Sequence, residues 1–289
     1  TLKSGPISDN ETWGTDGSPY LVTGDVTIGS AYTLTVSPGV EVFFKEISDD
    51  QSDGNDLNRS EIIINGGSLI AVGTESDSIW FTSNAEEPTS SDWYGFSCKG
   101  QVGMIDIQYA SVSYMTYGFR FQSATYFYGE DGDYLNVSHS HFRDIASHIM
   151  ENGFRLLSGA LMTFEHNIFS RYNYFLSSNN YMYGGSILTI DDNVMEDGGY
   201  YFINELRTYD VTEDGPSKMI MTNNDINSSY ASFDYIHINN YSEDEYSVIM
   251  KDNNITADNY SKMRFNGISM TEGSVLLEGN VYTNVGLEF

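Results

Sequence analysis

Met162-Thr-Phe-Glu-His-Asn-Ile-Phe169 is the stretch whose reading decides the fold. Apolar residues stand at 162 and 164, an asparagine at 167 and another apolar residue at 169. Alternation with period two marks a strand with one buried face. The break after it marks a turn, and asparagine tolerates the left-handed backbone that turns use. The pattern apolar-x-apolar-x-x-Asn-x-apolar returns as Leu188-x-Ile190-x-x-Asn193-x-Met195 and Met219-x-Met221-x-x-Asn224-x-Ile226. Val248-x-Met250-x-x-Asn253-x-Ile255 and Val275-x-Leu277-x-x-Asn280-x-Tyr282 complete the strong copies. Upstream, Leu135-x-Val137-x-x-Ser140-x-Phe142 and Ile105-x-Ile107-x-x-Ala110-x-Val112 are weaker forms. Ile79-x-Phe81-x-x-Asn84 opens the series, with Glu86 in the last apolar place. Starts at 79, 105, 135, 162, 188, 219, 248 and 275 lie 26 to 31 residues apart.

A second short apolar segment follows in most copies: Phe119–Phe121, Phe154–Leu156, Tyr174–Leu176, Tyr201–Ile203, Ile236–Ile238 and Ile268–Met270. Helix signals are nearly absent, and 27 Gly with many Ser, Asn and Asp punctuate the short strands. Two or three short strands repeated at this period make one coil of a solenoid. Stacked coils repeat each side-chain column every ~4.8 Å. The inward asparagines are predicted to form a ladder, each amide bonding the coils above and below.

The early segments add a resemblance. Trp13, Tyr20-Leu-Val-Thr-Gly-Asp-Val-Thr-Ile28, Leu34-Thr-Val-Ser-Pro-Gly-Val40, Gly66-Gly-Ser-Leu-Ile-Ala-Val-Gly73, Ile79-Trp-Phe-Thr-Ser83 and Trp93-Tyr-Gly95 carry it, with the repeats from 79 to 282. The chain resembles the right-handed parallel β-helix (pectate-lyase-like) superfamily, and its opening looks like that of secreted bacterial and archaeal members. The expected fold is all-β: a single right-handed parallel β-helix of about ten coils over residues 1–289. Residues 1–78 would be the cap and first coils, and 79–289 the regular coils. The resemblance implies an extracellular or cell-surface setting. It fixes no activity, because the fold hosts lyases, hydrolases, adhesins and structural proteins alike.

Composition narrows the partners. Thirteen Lys and Arg oppose 41 Asp and Glu, a net charge of −28. Nucleic acid calls for a clustered basic face and is excluded as a partner on that ground. No apolar run reaches the ~20 residues of a membrane-spanning helix. A single cysteine, Cys98, leaves neither an internal disulfide framework nor a cysteine-based zinc site.

Four side-chain groups are candidates for function. Asp49, Asp53 and Asp56 place oxygen ligands around Gly54 in the acidic loop 46–58, as a short loop that wraps Ca2+ would; the alternative is a solvated acidic loop. His139, His166 and Asp192 fall in one turn column, as a metal site or as a surface stack of imidazoles on carboxylates. Aligning the second strands gives an outward column Arg120, Arg155, Phe175, Phe202, His237 and Ser269. Guanidiniums beside aromatic faces suit an acidic sugar chain, unless the arginines only neutralise neighbours such as Glu151. The first strands give an outward column Trp80, Asp106, Asn136, Thr163, Thr189, Ile220, Ile249 and Leu276. Its apolar end, Ile220, Ile249 and Leu276, is expected to be covered by a terminal segment or by another protein chain, a second copy included, unless the register is off by one. Only seven residues follow the last repeat, too few for a capping helix, which gives a second reason to expect company at that end.

The leading expectation is an extracellular structural or adhesive solenoid, non-catalytic, associating with itself or a partner. The alternatives are a polysaccharide lyase or glycoside hydrolase acting on an acidic glycan, or a carbohydrate-binding module. Of the polygalacturonase motifs only an Asp-Asp pair, Asp191-Asp192, is present, and the lysines are scattered.

Overall fold

The computed structural model describes residues 1–122, 125–209, 215–239, 246–269 and 275–289; for 239 and 266–269 it describes the backbone alone. Ten parallel strands form the first ladder: Glu11–Trp13, Thr33–Val36, Ser68–Val72, Met104–Gln108, Tyr134–Ser138, Leu161–Glu165, Ile187–Asp191, Lys218–Thr222, Val248–Lys251 and Val275–Glu278. Each chain pass leaves this ladder through a short turn and enters a second set of parallel strands. That set includes Ile79–Ser83, Ala110–Ser113, His141–Arg143, Ile168–Tyr172 and Val194–Gly198. A further set includes Glu61–Asn65, Gly95–Lys99, Phe119–Phe121, His148–Glu151 and Tyr174–Leu176. It merges with a last short set, Tyr126–Tyr128, Arg155–Leu157 and Asn180–Tyr183, in the long strand Tyr201–Tyr209. The chain is a parallel β-solenoid, as the repeat requires.

Its core is the tube interior. Phe96, Phe119, Phe142, Phe169, Phe175, Phe202 and Phe233 are fully or almost fully buried, and successive rings lie 4.8–6.0 Å apart. Near the first coils Trp93 stacks on Phe44 at 3.8 Å.

The asparagine ladder runs through five coils. The Nδ2 of Asn167 donates to Oδ1 of Asn193 at 3.0 Å, Asn193 to Asn224 at 3.0 Å, Asn224 to Asn253 at 2.8 Å and Asn253 to Asn280 at 2.8 Å. The second Nδ2 proton meets the main-chain carbonyl of the preceding coil, for example Ile190 O from Asn224 at 2.7 Å. Each Oδ1 also accepts the main-chain N–H of the preceding ladder residue. Ser140, in the weaker copy, extends the series by donating its N–H to Asn167 Oδ1 at 3.0 Å. The left-handed backbone falls one residue earlier than the asparagine: His139, His166, Asp192, Asn223, Asp252 and Gly279 have φ between 49 and 67°. Asparagine is used for its two-sided amide, and the residue before it makes the bend.

Two alignments are corrected. Ile79-x-Phe81 does not start the first ladder: Ile79 and Phe81 pair with Ala110 and Val112 in the second set. The preceding first-ladder strand is Ser68–Val72, so Trp80 does not stand in line with Asp106; Ile70 does. The ladder is already in register at Glu11–Trp13. The second-strand column also mixed two sets, because Phe119–Phe121 and Tyr174–Leu176 belong to one and Arg155–Leu157 and the pair Leu206/Ile236 to the next.

Candidate functional site: an outer stripe of aromatic rings

The set containing His148–Glu151 and Tyr174–Leu176 meets a corner at its first residue. After the corner two consecutive side chains turn inward, Ile149 with Met150, Phe175 with Leu176, and Phe202 with Ile203. The residue before each pair therefore points out: His148, Tyr174 and Tyr201. Register stacks His148 on Tyr174, with centroids 4.2 Å apart and planes at 11°. Tyr117 lies 6.2 Å from His148, Tyr200 and Tyr201 lie 5.3 and 6.1 Å from Tyr174, and Tyr230 lies 6.4 Å from Tyr200 with planes at 3°. The result is a stripe of near-parallel rings along the solenoid axis, increasingly exposed toward Tyr200 (53 %). Tyr200, Tyr201, Tyr230 and Ser232 line a cleft of about 250 Å3. A neighbouring cleft of about 200 Å3 adds Asp234, Tyr260, Lys262 and Arg264.

Polar groups brace the start of the stripe. Arg120 Nη1 donates to Glu151 Oε1 at 3.1 Å, and His148 Nδ1 lies 2.9 Å from Glu151 Oε2 and 2.8 Å from Ser147 Oγ. Burial alone pushes the Glu151 carboxyl up; the His148 hydrogen bond and charge, then the Arg120 charge, outweigh it and hold it below the usual glutamate range. A carboxylate so held accepts hydrogen bonds and is a poor proton donor.

The expected Arg120/Arg155/Phe175/Phe202/His237 column divides. Phe175 and Phe202 are core residues, stacked 4.8 Å apart inside the tube, because the corner breaks the alternation. Arg120 sits opposite Glu151. Arg155 and His237 do share one column, Tyr126, Arg155, Tyr181, Arg207, His237. There Arg155 and Arg207 lie over the Tyr181 ring at 6.0 and 5.5 Å. Tyr201 and Arg207 are on one strand, six residues apart, so the two outer columns are at most roughly 20 Å apart. The backbone of Asn266, not of Ser269, continues this column; Ser269 pairs with Asn239, and Met270 lies outside the described residues. Arg207 is tied to Glu205, and among the described residues Arg155 is the arginine without an ion pair.

The turn column forms as a surface stack. The rings of Tyr109, His139 and His166 follow at 4.6 and 4.8 Å, and His166 Nδ1 meets Asp192 Oδ2 at 2.8 Å. Ile220, Ile249 and Leu276 are paired neighbours on the outer face, while Met219, Met221, Val248 and Met250 point inward, so the register is not off by one.

The acidic loop is organised differently from a simple alternation. Asp56 pairs with Arg59 at 3.0 Å, Asp49 Oδ1 accepts from Asp25 N and Gln51 N, and Asp53 is exposed. Its centre is Glu61, wholly buried, whose Oε1 accepts Asn55 N at 2.6 Å and Asp56 N at 2.8 Å while Ser97 and Asn55 side chains bond Oε2. Among the described residues no three His, Cys, Asp or Glu side chains converge as a ready-made metal cage. Asp25 and Glu61, distant in sequence from each other and framing the loop, carry no local signal that marks them.

A separate polar cleft of about 400 Å3, lined by Gln101, Met104, Asp131 and Asp133 among others, has Gln101 Nε2 donating to both aspartates at 2.8 Å. No helix among the described residues is long and apolar enough to cross a membrane. Comparison of the chain with protein-family profiles, with curated proteins and with solved structures returned no match.

Proposed function

We propose that this chain is a non-catalytic adhesive solenoid at the cell exterior, and that the stripe from Tyr174 to Tyr230 is its contact surface for a polysaccharide chain. The observation that carries the reading is the row of near-parallel, partly exposed rings ending in the Tyr200/Tyr201/Tyr230 cleft. Exposed aromatic surface of this extent on a rigid scaffold marks an interaction site. Tyrosine combines a large apolar face with a hydroxyl, which suits a ligand that is apolar on its ring faces and polar at its rim. A linear polymer of rings lying along the axis meets several tyrosines in succession.

Electrostatics select within that class. Lys262 and Arg264 at the neighbouring cleft are already paired with Glu288 and Asp234. With a net charge of −28, a uronate polymer is repelled over most of the surface. The stripe therefore suits a neutral glycan better than the acidic one expected from an Arg/Phe column; among the described residues only Arg155, over the Tyr181 ring, is a guanidinium without an ion pair to offer an occasional carboxylate. Affinity electrophoresis against neutral glucans and xylans beside polyuronates tests this: the reading expects retardation by neutral chains, and retardation only by polyuronates contradicts it. Product assays on the same panel check the absence of cleavage.

A further inference from the structure

Two carboxylate oxygens in the first coils are buried and have no partner: Asp25 Oδ2 and Asp49 Oδ2. Asp25 is 1 % exposed. Its Oδ1 is used by Glu61 N at 2.8 Å, and Asp49 Oδ1 is used twice, by Asp25 N at 3.1 Å and Gln51 N at 3.0 Å. One oxygen of each group is thus fixed by main-chain donors and the other is left over. The leftover Asp25 oxygen faces the acidic loop: a Cβ built on Gly54 would stand 2.9 Å from it. Gly54 has φ +77°, so the loop passes over Asp25 with a glycine where any side chain would collide.

Burying a carboxylate oxygen without a partner costs several kcal/mol, and two such groups with like charges nearby compound the cost. Burial foremost, then the charges of Glu61, Asp49 and Asp53, push the Asp25 carboxyl up to about 8 against the hydrogen bond from Glu61 N. Glu61 cannot relieve this, since both its oxygens are already saturated by four donors. No basic side chain pairs with Asp25 or Asp49 among the described residues; Arg59 is turned to Asp56. What the two leftover oxygens lack is a positive charge beside them.

We propose that Asp25 and Asp49, with the exposed Asp53 on the overlying loop, bind one Ca2+ that fastens the 48–60 loop to the first coils. Calcium accepts six to eight oxygen ligands in irregular geometry, so two fixed carboxylate oxygens, Asp53, main-chain carbonyls and water suffice where no complete cage stands ready. Magnesium demands a near-ideal octahedron and gives up water reluctantly, so this irregular site discriminates against it. Asp56, expected from sequence as a ligand, is excluded by its pairing with Arg59. The site is independent of the aromatic stripe.

The test uses the whole chain at about 150 mM NaCl, to screen diffuse binding by a highly acidic surface. Calorimetric titration with CaCl2 should show one site per chain, and about 5 mM Ca2+, well above a weak extracellular-type Kd, should raise Tm relative to chelator. Hydrogen exchange of the unmutated protein should slow in 48–60 and around Asp25 when Ca2+ is added. Asp25→Asn should weaken Ca2+ binding at least tenfold, and Asp77→Asn, an exposed control, should not. Absence of saturable binding, an equal Tm response to Mg2+, or protection confined to other segments overturns the proposal. If Asp25→Asn does not fold, the exchange experiment on the unmutated chain decides alone.

Discussion

The imidazole of His148 lies flat on the Tyr174 ring, 4.2 Å away and one coil along, with its Nδ1 2.9 Å from Glu151. A hydrogen-bonded ring at the head of a stack fixes the ring beneath it, so the stripe is preordered before any ligand arrives. Replacing His148 by Ala should leave the fold intact, loosen Tyr174 and weaken glycan retention several-fold. Unchanged retention would show that Tyr174 orders itself.

Truncation separates the two kinds of residue that the Arg/Phe column brought together. Phe175→Ala empties a core site packed by Phe164, Phe169 and Phe202 and should cost about 3–5 kcal/mol. Arg155→Ala, on an exposed side chain, should stay within about 0.5 kcal/mol. Arg120→Ala falls between, because it strips a partner from the half-buried Glu151, at about 1–3 kcal/mol. Denaturant midpoints for the three variants check the order; equal shifts for Phe175 and Arg155 would contradict it.

Asn224→Ala probes the ladder. It leaves Asn193 N–H unpaired in the interior and strips a side-chain donor from Ile190 C=O; a buried unpaired group costs ~1–3 kcal/mol, so a loss of about 2 kcal/mol is expected. Asn280→Ala, less buried, should cost clearly less. The loss is read as a shift in denaturant midpoint, and equal shifts would mean the ladder is not the source of the difference.

The ladder was legible because one residue type recurs at one position of a 26–31-residue period, and because the amide is the one group there that can bond both neighbours. Ile79-x-Phe81-x-x-Asn84 imitated the motif while belonging to the next strand set; only pairing with Ala110 and Val112 separates the two. The stripe was hidden by the corners. Period-two reading sends Phe175 outward once Tyr174 and Leu176 are taken as inward, whereas a corner turns Phe175 and Leu176 inward together and leaves Tyr174 outside. Asp25 and Glu61 meet through coil stacking across 36 residues, which no local pattern encodes.

His141 and Asp144 each make acid weaken the protein, in separate stages, against Asp25 and Glu61, whose raised carboxyls favour the fold as pH falls. Burial, then the charges of Arg143 and Arg171, hold the His141 imidazole below its ordinary range. The unfolded chain therefore takes the proton first, so this contribution is complete above about pH 6.5 and falls as pH drops below it. Asp144 is held below the usual carboxylate range by the Arg171 fork, at 2.6 and 2.8 Å, and by Arg143. Its contribution is present above about pH 4 and is lost as pH falls through the depressed folded value. His141→Gln should remove the upper stage from a plot of Tm against pH. A profile unchanged by that substitution would assign the stage to another group.

Ile220, Ile249 and Leu276 form a continuous outward apolar column in the first ladder. If a second copy covers it, association should strengthen as salt screens the net charge, and Leu276→Lys should abolish it. Sedimentation across a salt series reads both; a monomer at every salt concentration, with the variant indistinguishable, rules out self-association through this column.

The most direct test of the central reading is the affinity for a retained neutral glycan after Tyr174→Ala and Tyr200→Ala are combined. Ring contacts of about 0.5–1.5 kcal/mol each predict a loss of roughly tenfold or more, with Tm nearly unchanged because both rings lie outside the core. Full affinity in the double variant would contradict the assignment of the stripe as the glycan-binding surface.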